Sequence, residues 1–111
     1  MNNKKTPWYV LRSPELGKPF QEFYEACETK GVLDNKTKAL LMLAVASMSC
    51  SQKYSEKYIV SAYNAGASKE EITEALLIAA AENAEKNIAW VDDITIKPFQ
   101  KTGFENRKEN R

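Results

Sequence analysis

Residues Ala39–Cys50, with the sequence ALLMLAVASMSC, contain no charged residue, no glycine and no proline. Asp34 lies shortly before this stretch and is a typical N-cap residue, so the pattern predicts a helix over about residues 35–49. Its apolar side chains lie all round the circumference rather than along one stripe: Leu40, Leu41, Met42, Leu43, Val45 and Met48. A helix that is apolar on every side is buried on every side, in a core or at a subunit contact. We therefore predict that it is the central helix of an all-α domain.

Another helix is predicted before the central one, over about residues 19–30. Apolar residues recur there at i, i+3, i+4 and i+7, which places them on one face of a helix: Phe20, Phe23, Tyr24 and Cys27. Pro19 suits the first helical position, and Gly31 suits the position just beyond the last turn.

Three more helices are predicted after the central one. The first runs from about residue 51 to 65 and ends at Gly66. Ser68 and Glu71 form a capping box that begins the next helix. A last helix is expected over about residues 87–96, with Pro98 ending it.

Length and composition indicate one domain. The chain has 111 residues, of which 43% are hydrophobic and 28% charged, and these values are ordinary for a globular protein. We expect an all-α, single-domain bundle of about five helices over residues 19–100. An N-terminal lead over residues 1–18, with a short extended piece near Trp8, precedes it, and a flexible charged tail over residues 101–111 follows.

The composition also excludes several classes of function. A net charge of +1 gives no argument for nucleic acid as a partner, and the apolar helix is too short to cross a bilayer, which needs about 20 residues. The N-terminal residues contain no apolar run of the signal-peptide type, so we expect a cytoplasmic protein. The chain has no histidine, which removes the commonest general base and the commonest metal ligand. We therefore predict no metal and no cofactor.

Two segments carry a resemblance to a known family. One is LDNKTK, residues 33–38, with the apolar helix that follows it, and the other is AGASKEEITEAL, residues 65–76. Together they resemble the carboxymuconolactone decarboxylase family, which includes the alkyl hydroperoxidase D-like proteins. The resemblance implies an all-α fold that assembles as trimers or hexamers, with the active site near subunit contacts.

The residues that carry the chemistry of that family are replaced here. The peroxidase branch has a C-x-x-C-x-x-x-H relay on the helix before the glycine, assisted by a glutamate on the apolar helix. Counting back from Gly66 places Ser51 and Tyr54 at the positions that the two cysteines of the relay occupy in the family. Tyr58 falls at the histidine, which the decarboxylase branch also uses, and Ala39 takes the place of the glutamate. The resemblance thus implies the fold, while neither activity keeps its usual residues.

The candidate pocket therefore consists of the relay positions Ala39, Ser51, Tyr54 and Tyr58. Tyr54 and Tyr58 are i, i+4 neighbours on one helix face. We expect both rings to fill the former relay site by packing, with Tyr58 the more buried because it occupies the family's inward-pointing position. The other interpretation is a working pocket in which the phenols bind a ligand or act as weak acids.

Cys50 is the remaining candidate for thiol chemistry. A lone thiol can reduce a peroxide through a sulfenate if solvent reaches it. It can equally be an inert residue that ends an apolar helix. Cys27 and Cys50 form no C-x-x-C pair, so we expect negligible dithiol-dependent peroxide turnover.

Three functions fit these observations. The one we favour is a non-catalytic or small-ligand-binding homo-oligomer, a trimer or a hexamer, whose ligand is a small organic molecule. Self-association is expected because the central helix is apolar on all sides and the helix that begins at Ser68 is apolar over more than half of its surface. The second is a peroxidase-like thiol oxidoreductase that uses Cys50 alone. The third is a decarboxylase- or isomerase-like enzyme that uses Tyr58 and a glutamate as acid and base.

Overall fold

The computed structural model of the chain describes residues 5–102, apart from the side chains of Asp92, Asp93 and Phe99. Over these residues the chain forms five α-helices and no strand: α1 (Trp8–Arg12), α2 (Pro14–Thr29), α3 (Asn35–Met48), α4 (Gln52–Asn64) and α5 (Lys69–Thr102). The predicted all-α class is confirmed.

Local sequence sets the ends of the inner helices. Asp34 caps α3, because its Oδ1 accepts a hydrogen bond from the Thr37 backbone N–H at 2.7 Å. The predicted capping box of α5 is also present: Ser68 N–H donates to Glu71 Oε1 at 2.9 Å, and Glu71 N–H donates to Ser68 Oγ at 3.0 Å. Gly66 follows α4 with a φ of 96°, a left-handed conformation that suits glycine. These helix ends lie where the sequence predicts them.

Helix α3 is the centre of the body because α4 and α5 both pack against it. Leu43 is fully buried, and it forms one apolar cluster with Ala46 and with Tyr58 of α4. Ile72 and Leu76 of α5 pack against the same cluster.

A second cluster near the N-terminus of α3 consists of alanines. Ala39 of α3 packs with Ala62 of α4 and with Ala67, which lies just before α5. Side chains this small allow the helix axes to approach closely.

The outer side of α3 is not covered within one chain. Leu41, Val45 and Met48 are exposed there. The expectation that α3 is buried on every side is therefore wrong for the single chain, because its neighbours occupy only part of its circumference.

The N-terminal region differs from the prediction. Trp8–Arg12 forms helix α1 rather than an extended piece, and α2 begins at Pro14 rather than at Pro19. Pro14 takes the first helical position that we had assigned to Pro19. Gly17 allows α1 to pack on α2, since a Cβ there would lie 2.7 Å from Val10 Cα.

The C-terminal region also differs. Helix α5 runs without a break through residue 87 and contains Pro98 in its interior, so two separate helices were wrongly predicted. Its 34 residues give a length of about 51 Å. Residues 101 and 102 of the predicted tail belong to this helix, and residues 103–111 lie outside the described residues.

The chain is extended for its length. The Cα atoms have a radius of gyration of 21.7 Å and principal extents of 74 × 39 × 25 Å, whereas a compact domain of similar length has a radius of about 13 Å. Within the described part of the chain, no helix combines the length and the apolar character that a membrane span requires.

Candidate functional site

Helices α3 and α4, together with Tyr24 of α2, border an open groove of about 440 Å³. Its lining is almost entirely apolar and comes from four residues of α3 and from five residues around them: Leu41, Met42, Val45, Ala46, Tyr24, Ser49, Ser51, Tyr54 and Tyr58. We refer to this feature as the α3–α4 groove.

Two side chains of α2 hold the hydroxyl group of Tyr58. Tyr58 is only 5% exposed, and its Oη donates to Glu28 Oε2 at 3.3 Å. The Tyr24 Oη contacts the Tyr58 Oη. Because the single hydroxyl hydrogen of Tyr58 is directed to Glu28, the Tyr24 hydroxyl is the donor in that contact. Burial, followed by the interactions with Tyr24 and Glu28, raises the pKa of Tyr58, so the phenol stays protonated at neutral pH.

Lys57 completes this arrangement. Its Nζ lies 3.3 Å from Glu28 Oε2 and 5.0, 5.3 and 5.8 Å from the ring centroids of Tyr58, Tyr24 and Tyr54. These distances are within the range of cation–π interactions. Partial burial opposes the charged form of Lys57, but the attraction of Glu28 and the contact with Tyr24 raise its pKa overall. Lys57 thus carries its charge beside Glu28, with which it forms an ion pair.

We refer to Tyr24, Glu28, Lys57 and Tyr58 as the tyrosine cluster. Neither Tyr24 nor Glu28 was predicted as a site residue from the sequence. Their spacing of i and i+4 on α2 was the available signal, since it places both on one side of the helix. Only the side-chain contacts of Tyr24 and Glu28 with α4 make that spacing meaningful.

The structure brings three of the four predicted pocket residues to the α3–α4 groove. Tyr54 and Tyr58 line it, and so does Ser51, whose Oγ caps α4 by accepting from the Tyr54 N–H at 3.3 Å. Tyr58 is packed as expected, whereas Tyr54 keeps 46% of its surface exposed. The expectation that both rings are packed is therefore wrong for Tyr54 in the single chain.

Ala39 lies beside the groove rather than in it. It is buried, and it borders a second pocket of about 120 Å³ that also contacts Tyr58. Ala39 and Tyr58, which the resemblance assigns to the glutamate and the histidine of the relay, therefore share one small pocket. Glu28 also lines it, so a carboxylate is present although it comes from a different helix.

Cys50 does not line the α3–α4 groove. It is exposed in the turn between α3 and α4, with a φ of 56°, and borders a separate pocket with Leu76 and Asn83 of α5. Lys53 follows Cys50 by three residues, and its Nζ lies 5.9 Å from the Tyr54 ring centroid. Among the described residues, no group of three or more Cys, Asp or Glu side chains could hold a metal ion.

Fold and site together define an all-α protein whose groove lies between its central helix and the helix that carries the tyrosines. The sequence profile of the carboxymuconolactone decarboxylase family matches residues 14–93. The chain belongs to that family.

A solved structure supports the same fold. The chain is similar to the crystal structure of a protein from Methanobacterium thermoautotrophicum, with a TM-score of 0.70 and 24% identity. The similarity covers 78% of this chain and 98% of the other. At 24% identity the similarity shows that the two proteins share a fold and nothing more. A comparison with curated proteins finds no match.

The difference in burial between the two tyrosines predicts a difference in stability. Tyr58→Ala is expected to lower the free energy of unfolding by about 3–5 kcal/mol, because it removes a buried ring and leaves a cavity. Tyr54→Ala is expected to lower it by about 1 kcal/mol, as for a typical partly exposed side chain. Chemical denaturation of both variants beside the parent measures the difference, and equal losses would contradict the packing described here.

Proposed function

We propose that the protein is a homo-oligomer that binds a small organic ligand in the α3–α4 groove and lacks the thiol and histidine chemistry of its family. The observation that carries this proposal is the groove itself, with its volume of about 440 Å³ and its apolar lining. Small-molecule sites are typically concave, mainly apolar and about 300–1,000 Å³ in volume. The groove also includes three of the positions that the family resemblance assigns to the relay.

The state of Tyr58 supports binding rather than acid–base catalysis. Its hydroxyl group is directed to Glu28 and has a raised pKa. A general acid works best when its pKa lies near the operating pH, and this phenol is far from that condition. A decarboxylase- or isomerase-like reaction through Tyr58 is for this reason the least supported alternative.

The apolar surface of the chain supports self-association. Large apolar side chains are exposed on the first two helices and on the last. They include Trp8 of α1, Phe20 and Phe23 of α2, and Trp90 and Ile94 of α5. Large exposed apolar side chains that form a patch typically mark an interaction surface. The extended shape has the same implication, because a chain of this length buries little of its own surface when its radius of gyration is 21.7 Å.

We expect light scattering of the purified protein at micromolar concentration to give three or six times the chain mass of 12.6 kDa. Burial of the exposed aromatic residues between chains is the physical reason. A protein that stays at the monomer mass throughout the micromolar range would contradict the proposed assembly.

Binding in the groove can be tested with the fluorescent, uncharged probe N-phenyl-1-naphthylamine. Val45 lines the groove and Leu77 of α5 lies outside its lining, yet both are apolar and exposed to similar extents, 64% and 63%. We expect Val45→Glu to weaken probe binding about tenfold, because the new carboxylate loses hydration when the probe enters. Leu77→Glu is the matched control and is expected to bind the probe as the parent does. Equal effects of the two substitutions would contradict the proposed site.

A thiol oxidoreductase is the second candidate, and the exposure of Cys50 is the observation in its favour. We expect it to fail, because position 53, where the second cysteine of a C-x-x-C pair would stand, is a lysine. The measurement is steady-state peroxide consumption with dithiothreitol by the parent, by Cys50→Ser and by Cys27→Ser. Consumption that disappears only in Cys50→Ser would establish the thiol reaction and contradict our expectation.

A further inference from the structure

We infer that the α3–α4 groove selects uncharged apolar molecules and rejects carboxylates. This inference rests on the proposed function and specifies the chemical class of its ligand. It follows from the interactions within the tyrosine cluster, in which the phenol hydrogens and the two charged groups are already paired with one another.

Neither phenol of the tyrosine cluster has a hydrogen left for a ligand. The Tyr58 hydroxyl donates to Glu28, and the Tyr24 hydroxyl donates to Tyr58. Each phenol carries one hydrogen, so both donors are used within the cluster. A carboxylate that reached Tyr24 or Tyr58 would meet oxygen lone pairs rather than donors.

The charges of the cluster are also used internally. The Lys57 ammonium is paired with Glu28 at 3.3 Å and lies against three tyrosine rings. A carboxylate attracted by Lys57 would therefore also be repelled by Glu28, which disfavours the charged form of a second acid nearby. The cluster presents no net charge to a ligand.

The rest of the groove gives an anion little compensation. Its α3 side consists of Leu41, Met42, Val45 and Ala46. The Ser49 Oγ donates to the Val45 carbonyl oxygen at 3.0 Å. Ser51 and Tyr54 contribute neutral hydroxyl groups, which can hydrogen-bond a ligand but cannot neutralise the charge of a carboxylate. Desolvating an anion here would be costly, whereas an uncharged ring gains from burial.

Competition for one bound probe tests this selectivity. N-phenyl-1-naphthylamine is bound to the parent protein and displaced with 2-naphthylmethanol or with 2-naphthoate, which have the same ring system and differ in charge. We expect the alcohol to displace the probe at a concentration about tenfold lower than the carboxylate needs, because only the carboxylate loses the hydration of a charge. Equal displacement, or stronger displacement by the carboxylate, would overturn the inference and leave the proposed function intact. Failure of the parent to bind the probe would overturn both.

Two glutamates of α2 provide a matched pair of variants. Glu28→Gln keeps an acceptor for Tyr58 but removes the counter-ion of Lys57, and Glu25→Gln removes an exposed charge one turn away. We expect Glu28→Gln to strengthen displacement by 2-naphthoate about tenfold and to leave the alcohol unchanged, since the ammonium is then free to attract an anion. Glu25→Gln is expected to retain the selectivity of the parent. An unchanged ratio in a folded Glu28→Gln variant would overturn the role assigned to the cluster.

Discussion

The close contact between α3 and its two partners, α4 and α5, is the constraint on which the rest of the structure depends. Alanines at Ala39 and Ala62 allow the helices to approach, and Leu43 fills the space that remains. Packing of this kind has little tolerance for added volume, because protein interiors are close to their maximum density. It fixes the rotation of α4 about its axis and thereby directs Tyr58 towards α2. The α3–α4 groove is the surface that this contact leaves uncovered.

The tyrosine cluster shows how a partly buried charge pair is retained beside an apolar surface. Removing an ion pair from water carries a cost that geometry and additional hydrogen bonds must offset. Glu28 accepts a hydrogen bond from Tyr58 and forms an ion pair with Lys57. Lys57 also lies against aromatic rings. The polar groups therefore satisfy one another instead of requiring a ligand. An apolar groove and a saturated polar cluster can in this way lie side by side.

Local features of the sequence were sufficient to predict much of the fold. The caps at Asp34 and Ser68 and the all-α class depend on neighbouring residues, and these predictions are confirmed. The start of α2 and the tyrosine cluster could not be predicted, because they depend on contacts between elements: α1 against Gly17, and Tyr24 with Tyr58, which are 34 positions apart. The position of Cys50 outside the groove also could not be predicted, because it depends on the left-handed conformation of Cys50 itself in the turn before α4.

The order of the helices has a consequence for how the chain folds. The helices that pack together in the body are first or second neighbours along the chain, namely α3 with α4 and α3 with α5. Such local topologies fold rapidly, since little chain entropy is lost before the contacts form. Docking of separate chains is slower and depends on concentration. In the proposed assembly, a newly synthesised chain would therefore complete its helical body first and keep the aromatic residues of α1 and α2 in water until it meets its partners. The concentration of partner chains, rather than the rate of folding, would set how long that exposed state lasts.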